Sequence, residues 1–200
     1  YLNGNLVTSV KAPDDIKEIK SYAFYGYSTL EEFEFHSEID NIGASVFNET
    51  AIYNNTENWD NGLLYVGDYL VGTEYGISGA FEIREGTKII AGRTFAERTK
   101  VTSVKIPDSV TIIGQQAFYD CSGLETINIG ENVEKIGDWA FWDCSLLSLD
   151  LSLNGNAKYI GKNAFENCAG LTSINIKGEN VEIAEKAFYS YSRGGSTVSG

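Results

Sequence analysis

The stretch IIGQQAFYDCSGL, residues Ile112 to Leu124, decides how the chain is read. Taken alone it resembles a helix start, with a cysteine of uncertain purpose. The chain then repeats it almost word for word, as IGDWAFWDCSLL from Ile136 to Leu147 and IGKNAFENCAGL from Ile160 to Leu171. Its phenylalanine recurs as Phe24, Phe47, Phe95, Phe118, Phe141, Phe165 and Phe188, at intervals of 23, 48, 23, 23, 24 and 23. A fixed period of this size is the mark of a repeat array, and the interval of 48 conceals an insertion of about 25 residues.

In phase, the units share the template L-x-x-I-x-I-P-x-x-V-x-x-I-G-x-x-A-F-x-x-C. Val101, Val104, Ile106, Pro107, Val110, Ile113, Gly114, Ala117, Phe118 and Cys121 form the best copy. The I-x-I alternation predicts a short strand, whose equivalents in successive units pair in parallel at about 4.8 Å, so that seven coils span about 30 Å. V-x-x-I-G then returns along the opposite wall. Its glycine permits either a positive φ or a close backbone approach, although Lys20 and Ala184 replace it in the end units. One coil cannot bury its own apolar face, so each depends on its neighbours. The third unit is degraded, with Ser78 at the leading position. The sixth reads as slipped, with Leu146, Leu149 and Leu151 one residue early. Two outward columns follow: Ser9, Glu32, Ala80, Ser103, Thr126, Ser148 and Ser173, then Lys11, Glu34, Glu82, Lys105, Asn128, Asp150 and Asn175. In the second, Lys11 beside Glu34 and Glu82 beside Lys105 are favourable cross-strand pairs.

The insertion carries Leu63–Val66, Gly67-Asp68 and Tyr69–Gly72, the pattern of a β-hairpin with a glycine turn. It either enlarges one coil and patches the stack, or protrudes as a contact element bearing Trp59, Tyr65, Tyr69 and Tyr75. Elsewhere, Tyr119, Trp139 and Trp142 fall in slots the template leaves free and are candidates for an aromatic binding patch. The alternative is that these rings cover the coil edges.

The sequence offers little for catalysis. His36 is the single histidine, so no Ser-His-Asp or Cys-His arrangement can be drawn. Cys121, Cys144 and Cys168 keep repeat spacing, unlike the close pairs of zinc sites, and read as buried filler. No calcium loop or phosphate loop appears, and neither cofactor nor metal is expected. A carboxylate-based glycosidase would need two acids about 5–10 Å apart in a cleft. With 28 acidic and 15 basic residues, a net charge of −13, the chain is unsuited to nucleic acid or anionic lipid. No apolar run spans a membrane. The absence of an initiator Met and of a signal-like amino terminus suggests a mature or excised fragment.

The template resembles the BspA-like, treponemal-type leucine-rich repeat family over residues 6–191. That resemblance implies a β-rich solenoid: a leucine-rich-repeat array of about seven 23-residue coils with short parallel strands, few short helical or 3-10 turns and one hairpin-like insertion. The expected organisation is a single leucine-rich repeat domain over residues 1–191, with the insertion at about 53–77, and a flexible tail or linker over 192–200. The family further implies a bacterial, extracellular or cell-surface protein without enzymatic activity that serves in adhesion and recognition. Its partner would be a protein or glycan on a host surface or matrix, bound by a monomer without nucleic acid or membrane insertion. A structural spacer within a larger surface protein is the alternative.

Overall fold

The computed structural model describes residues 6–35 and 39–190. His36 and the tail over 192–200 lie outside the described residues. The chain winds as a β-solenoid whose coils are numbered here by the seven repeat phenylalanines. Each coil has a front strand, a two-residue return strand and a turn built on the repeat Phe, which Ala precedes except at Val46 and Thr94.

The repeat phenylalanines stack in one column through coils 3–6. Rings of Phe95, Phe118, Phe141 and Phe165 lie face to face at 4.9, 5.0 and 5.0 Å, all of them buried. The flanking turn holds residues in left-handed conformation two before and two after the Phe, among them Gln116 and Asp120, then Trp139 and Asp143. Such conformations cost non-glycine residues about 1–2 kcal/mol. Turn amides in coils 1 and 3–6 bond forward to the next coil, as in Gln116 N to Asp138 O, Phe118 N to Ala140 O and Asp120 N to Trp142 O, at 2.7–2.9 Å. This third hydrogen-bonded ladder, alongside the two strand walls, offsets the strain.

The glycine of I-G serves close approach. Gly114, Gly137 and Gly161 do not adopt a positive φ. A Cβ on Gly137 would sit 2.6 Å from Gln115 N, and one on Gly161 would sit 2.4 Å from Asp138 N. Each such contact is with the preceding coil, and that direction explains the exceptions at Lys20 and Ala91. Lys20 belongs to coil 1, which no coil precedes among the described residues. Ala91 fills the slot in coil 3 and follows the inserted hairpin, bonding Leu70 O at 2.9 Å. Ala184 lies in coil 7, where the Phe165–Phe188 spacing opens to 5.4 Å.

The insertion forms a hairpin of Leu63–Val66 and Tyr69–Thr73 and joins the return wall, with Tyr69 and Leu70 parallel to Ile89 and Ile90. Every residue of Leu63–Val66 is buried. Leu63, Tyr65 and Leu70 face the core of coils 3–7, while Leu64, Val66, Tyr69 and Val71 face the core of coils 1–2. The hairpin is therefore a partition between two stacks. Phe24 and Phe47 stack at 6.0 Å on one side of it. The two stacks meet again at Gly92, whose amide bonds Ile42 O at 2.8 Å.

The front wall follows the expected register within coils 1–2 and within coils 3–5, which form separate sheets, with Ser9 opposite Glu32, Ser103 opposite Ala80 and Thr126, and Lys105 opposite Glu82 and Asn128. Lys11–Glu34 and Lys105–Glu82 form ion pairs. Coil 6 differs from the sequence reading. Leu147, Leu151 and Leu153 occupy the buried positions and Leu146 is exposed. Asp150 therefore pairs with Ser173 and Ser152 with Asn175, past an irregularity after Leu149. The register shifts there, with Thr172 of coil 7 passed by between Leu171 and Ser173, and the front sheet breaks between coils 5 and 6 while the return sheet continues to coil 7.

Gly137→Ala should thus destabilise the protein by about 1–3 kcal/mol through overpacking against Gln115, whereas Lys20→Ala should change stability by less than about 0.5 kcal/mol. Urea unfolding of the two variants checks the contrast.

Candidate recognition surface

Side chains on the turn ladder are fixed by the backbone bonds beneath them. In the slot after the repeat Phe, Tyr119 and Trp142 stack with centroids 4.7 Å apart and planes 11° from parallel. Both are half-buried. The Arg93 guanidinium lies 5.7 Å from the Tyr119 ring centre and is held by Glu97 at 2.7 Å. Trp139 stands two residues before its Phe with φ 53°, in the neighbouring column, and makes no ring contact with this pair among the described residues. The structure thus joins two of the three predicted aromatics.

The hairpin aromatics are corrected. Tyr65 and Tyr69 are 4% and 6% exposed, so they are core rings and cannot present a contact surface. Arg84 covers the Tyr65 ring at 4.2 Å and donates its backbone N–H to the phenol oxygen, while Tyr69 packs on Phe35 at 4.3 Å. The four-residue apolar run LLYV was the available sign, because a strand apolar at every position is buried on both faces. Trp59 is half-buried, donates Nε1 to Tyr53 O at 2.8 Å and meets that ring edge-on. Tyr75 is the exposed ring of the insertion, at 96%.

The cysteine thiols are buried and free, and each donates to the Phe carbonyl of the preceding coil: Cys121 to Phe95, Cys144 to Phe118 and Cys168 to Phe141, at 3.0–3.2 Å. Burial pushes the Cys121 thiol up to about 12. All three thiols are buried packing groups, and the rise at Cys121 disfavours its thiolate. Among the described residues, no three or more His, Cys, Asp or Glu are arranged to hold a metal.

A cleft appears where the two stacks meet, on the outer face of the return wall. Ile89 and Ile112 occupy an outward column whose equivalents are Glu18, Asn41, Lys135 and Tyr159. Ile89 is buried in the core of coils 1–2 and Ile112 packs against it, so the N-terminal stack leans on this face. Beyond Ile112 lies a hollow of about 370 Å³ lined by Asn41, Gln115, Lys135, Asp138 and Tyr159. A second hollow of about 520 Å³ shares Asn41 and Gln115 and reaches Glu18, Tyr22 and Arg93. The Tyr159 hydroxyl donates to Asp138 Oδ1 at 3.0 Å, and Asn41 Nδ2 donates to Glu18 Oε1 at 2.7 Å. Lys20, then Asn41, hold the Glu18 carboxyl below its usual range, with a smaller contribution from Lys135. Sequence reasoning missed this cleft. Its sign was the doubled Ile at 89–90 and 112–113, where other return strands begin with a polar or tyrosyl residue.

The sequence signature described as "BspA type Leucine rich repeat region" matches residues 2–70 and 79–193, in six copies. The chain belongs to this leucine-rich repeat family. This BspA-type chain is similar in fold to a leucine-rich cell surface protein from Faecalibacterium prausnitzii, at 24% identity and a TM-score of 0.53, over 84% of this chain and 53% of that one. It is also similar to the pneumococcal vaccine antigen PcpA, at 19% identity and a TM-score of 0.57, over 94% and 58% of the two chains. The BspA-type chain thus spans a little over half the length of these structures. A search of curated proteins returned no match. No helix among the described residues is long and apolar enough to cross a membrane.

Burial, followed by the charges of Asp143 and Glu97, raises the Asp120 carboxyl above its ordinary value of 3.8. A raised folded pKa penalises the ionised form, so the cost is present at neutral pH and fades as the pH falls through the folded value. Asp120→Asn, which copies Asn167 of coil 6, should stabilise the protein at neutral pH by at most about 0.5 kcal/mol, because solvent screens like charges at a partly exposed carboxyl. Thermal unfolding of the two proteins should converge in acid.

Proposed function

We propose that the chain is a non-enzymatic recognition module, displayed at a bacterial cell surface or secreted, that binds a protein or glycan as a monomer. The observation supporting this reading most directly is the Tyr119–Trp142 pair. The equivalent slots of coils 2, 3 and 6 hold Asn48, Ala96 and Glu166, so the fold does not demand aromatics there. Rigid rings on a fixed ladder give contact area at little entropic cost. The family resemblance and the cell-surface description of the Faecalibacterium protein point the same way.

The test is a binding screen of the chain against immobilised host matrix proteins and a glycan array, repeated with Tyr119→Ala/Trp142→Ala. A saturable ligand whose affinity falls at least about tenfold in the double variant supports recognition through the rings, since central aromatic anchors each contribute about 2 kcal/mol or more. Ligands bound equally by the variant, or none at all, contradict it; a blank screen leaves the structural spacer as the better description.

A further inference from the structure

The cleft between the two stacks brings a lysine, two amides, a carboxylate and a tyrosine ring to one hollow. The chain carries a net charge of −13, and its front-wall lysines Lys11 and Lys105 are each matched to a carboxylate of the neighbouring coil. Lys135, on the cleft floor, is different. It forms no ion pair among the described residues, and its ammonium lies 6.0 Å from the centre of the Tyr159 ring. Neighbouring carboxylates are already engaged: Glu18 by Lys20 and Asn41, and Asp138 by the Tyr159 hydroxyl and the Lys162 backbone N–H. A half-buried cation that forms no ion pair among the described residues thus lines a concave site, with the Tyr159 ring beside it.

The other groups specify the remainder of the ligand. Asn41 and Gln115 supply amides, Asp138 keeps acceptor capacity beyond its two bonds, and Tyr159 offers one ring face. Amides and carboxylates side by side suit adjacent hydroxyls, and a ring face suits the C–H side of a pyranose. The volume falls within the range of small-molecule sites. A peptide is less well served. The return strands that carry Ile112 and Lys135 are hydrogen-bonded on both edges, so they offer no free strand edge for augmentation.

We propose that this cleft binds a carboxylate-bearing saccharide, with Lys135 meeting the carboxylate and Asn41, Gln115 and Asp138 meeting the ring hydroxyls. The proposal rests on the recognition reading and names a site and ligand class for it. Sialic and uronic acids share the required chemistry.

Isothermal titration of the 200-residue chain with 3′-sialyllactose, trigalacturonate, lactose and triglutamate tests it. Expected is saturable binding of one or both acidic saccharides, at least about tenfold tighter than lactose or triglutamate, as a hydrogen-bonded charge provides. Binding of one acidic saccharide alone identifies the acid class. Lys135→Gln should remove the preference over the neutral sugar, while Lys177→Gln, on the exposed front of coil 7, should preserve it; circular dichroism checks that both variants fold. No saturation at millimolar concentration, equal binding of lactose or triglutamate, or a preference that survives Lys135→Gln overturns the proposal. If that happens while an immobilised partner still depends on Tyr119 and Trp142, the cleft assignment falls and the recognition reading stands.

Discussion

Everything in this molecule depends on how closely one coil can lie on the next. A spacing near 5 Å is needed for strands to pair, for the turn amides to reach forward carbonyls and for the phenylalanine rings to stack. The backbones approach so tightly at the return corner that a methyl group does not fit at Gly114, Gly137 or Gly161. Where the constraint is absent the glycine is absent too, as at Lys20 and Ala91. At Ala184 the rings stand 5.4 Å apart, but ring spacing does not by itself set the slot, since Gly43 is kept and tightly packed against Ser21 where Phe24 and Phe47 lie 6.0 Å apart. One steric condition at the return corner therefore accounts for the glycine of the repeat motif.

The hairpin changes the consequences of that regularity. A strand pair apolar on both faces divides the stack into two cores, one on either side of Leu63–Val66. The N-terminal coils then lean against the outer face of the return wall at Ile89 and Ile112. A straight solenoid would present columns alone; the break creates the concave surface around Asn41, Gln115 and Lys135. The insertion thus shapes the surface from within, without protruding its tyrosines into solvent.

Much of this was legible in the residues. The Phe ruler set the coil count and the return wall, the cysteines kept repeat spacing and proved to be packing, and two charge pairs of the front wall followed from register. Coil 6 was misread because SLLSLDLSL offers leucines in two phases, and only packing chooses Leu147, Leu151 and Leu153. Tyr65 and Tyr69 were misplaced because aromatic residues in an insertion were weighed as surface, against an all-apolar strand pattern. The cleft was invisible because it joins coil 2 to coils 4–6 across a bend, and repeat arithmetic describes neighbours alone. Asn41 and Lys135 share a column, but nothing local in either says that they face one hollow.

Nearest-neighbour stacking interrupted by a partition is most directly tested by native-state hydrogen exchange on Phe141→Ala, a truncation expected to cost about 3–5 kcal/mol. Amides of coils 4–6, including Phe118 and Phe165, should lose most protection, while the Gly43 amide bonded to Ile19 O and the Tyr22 amide bonded to Ala44 O, beyond the hairpin, should keep theirs. A uniform loss of protection across all coils would contradict the picture of two stacks joined through a buried hairpin.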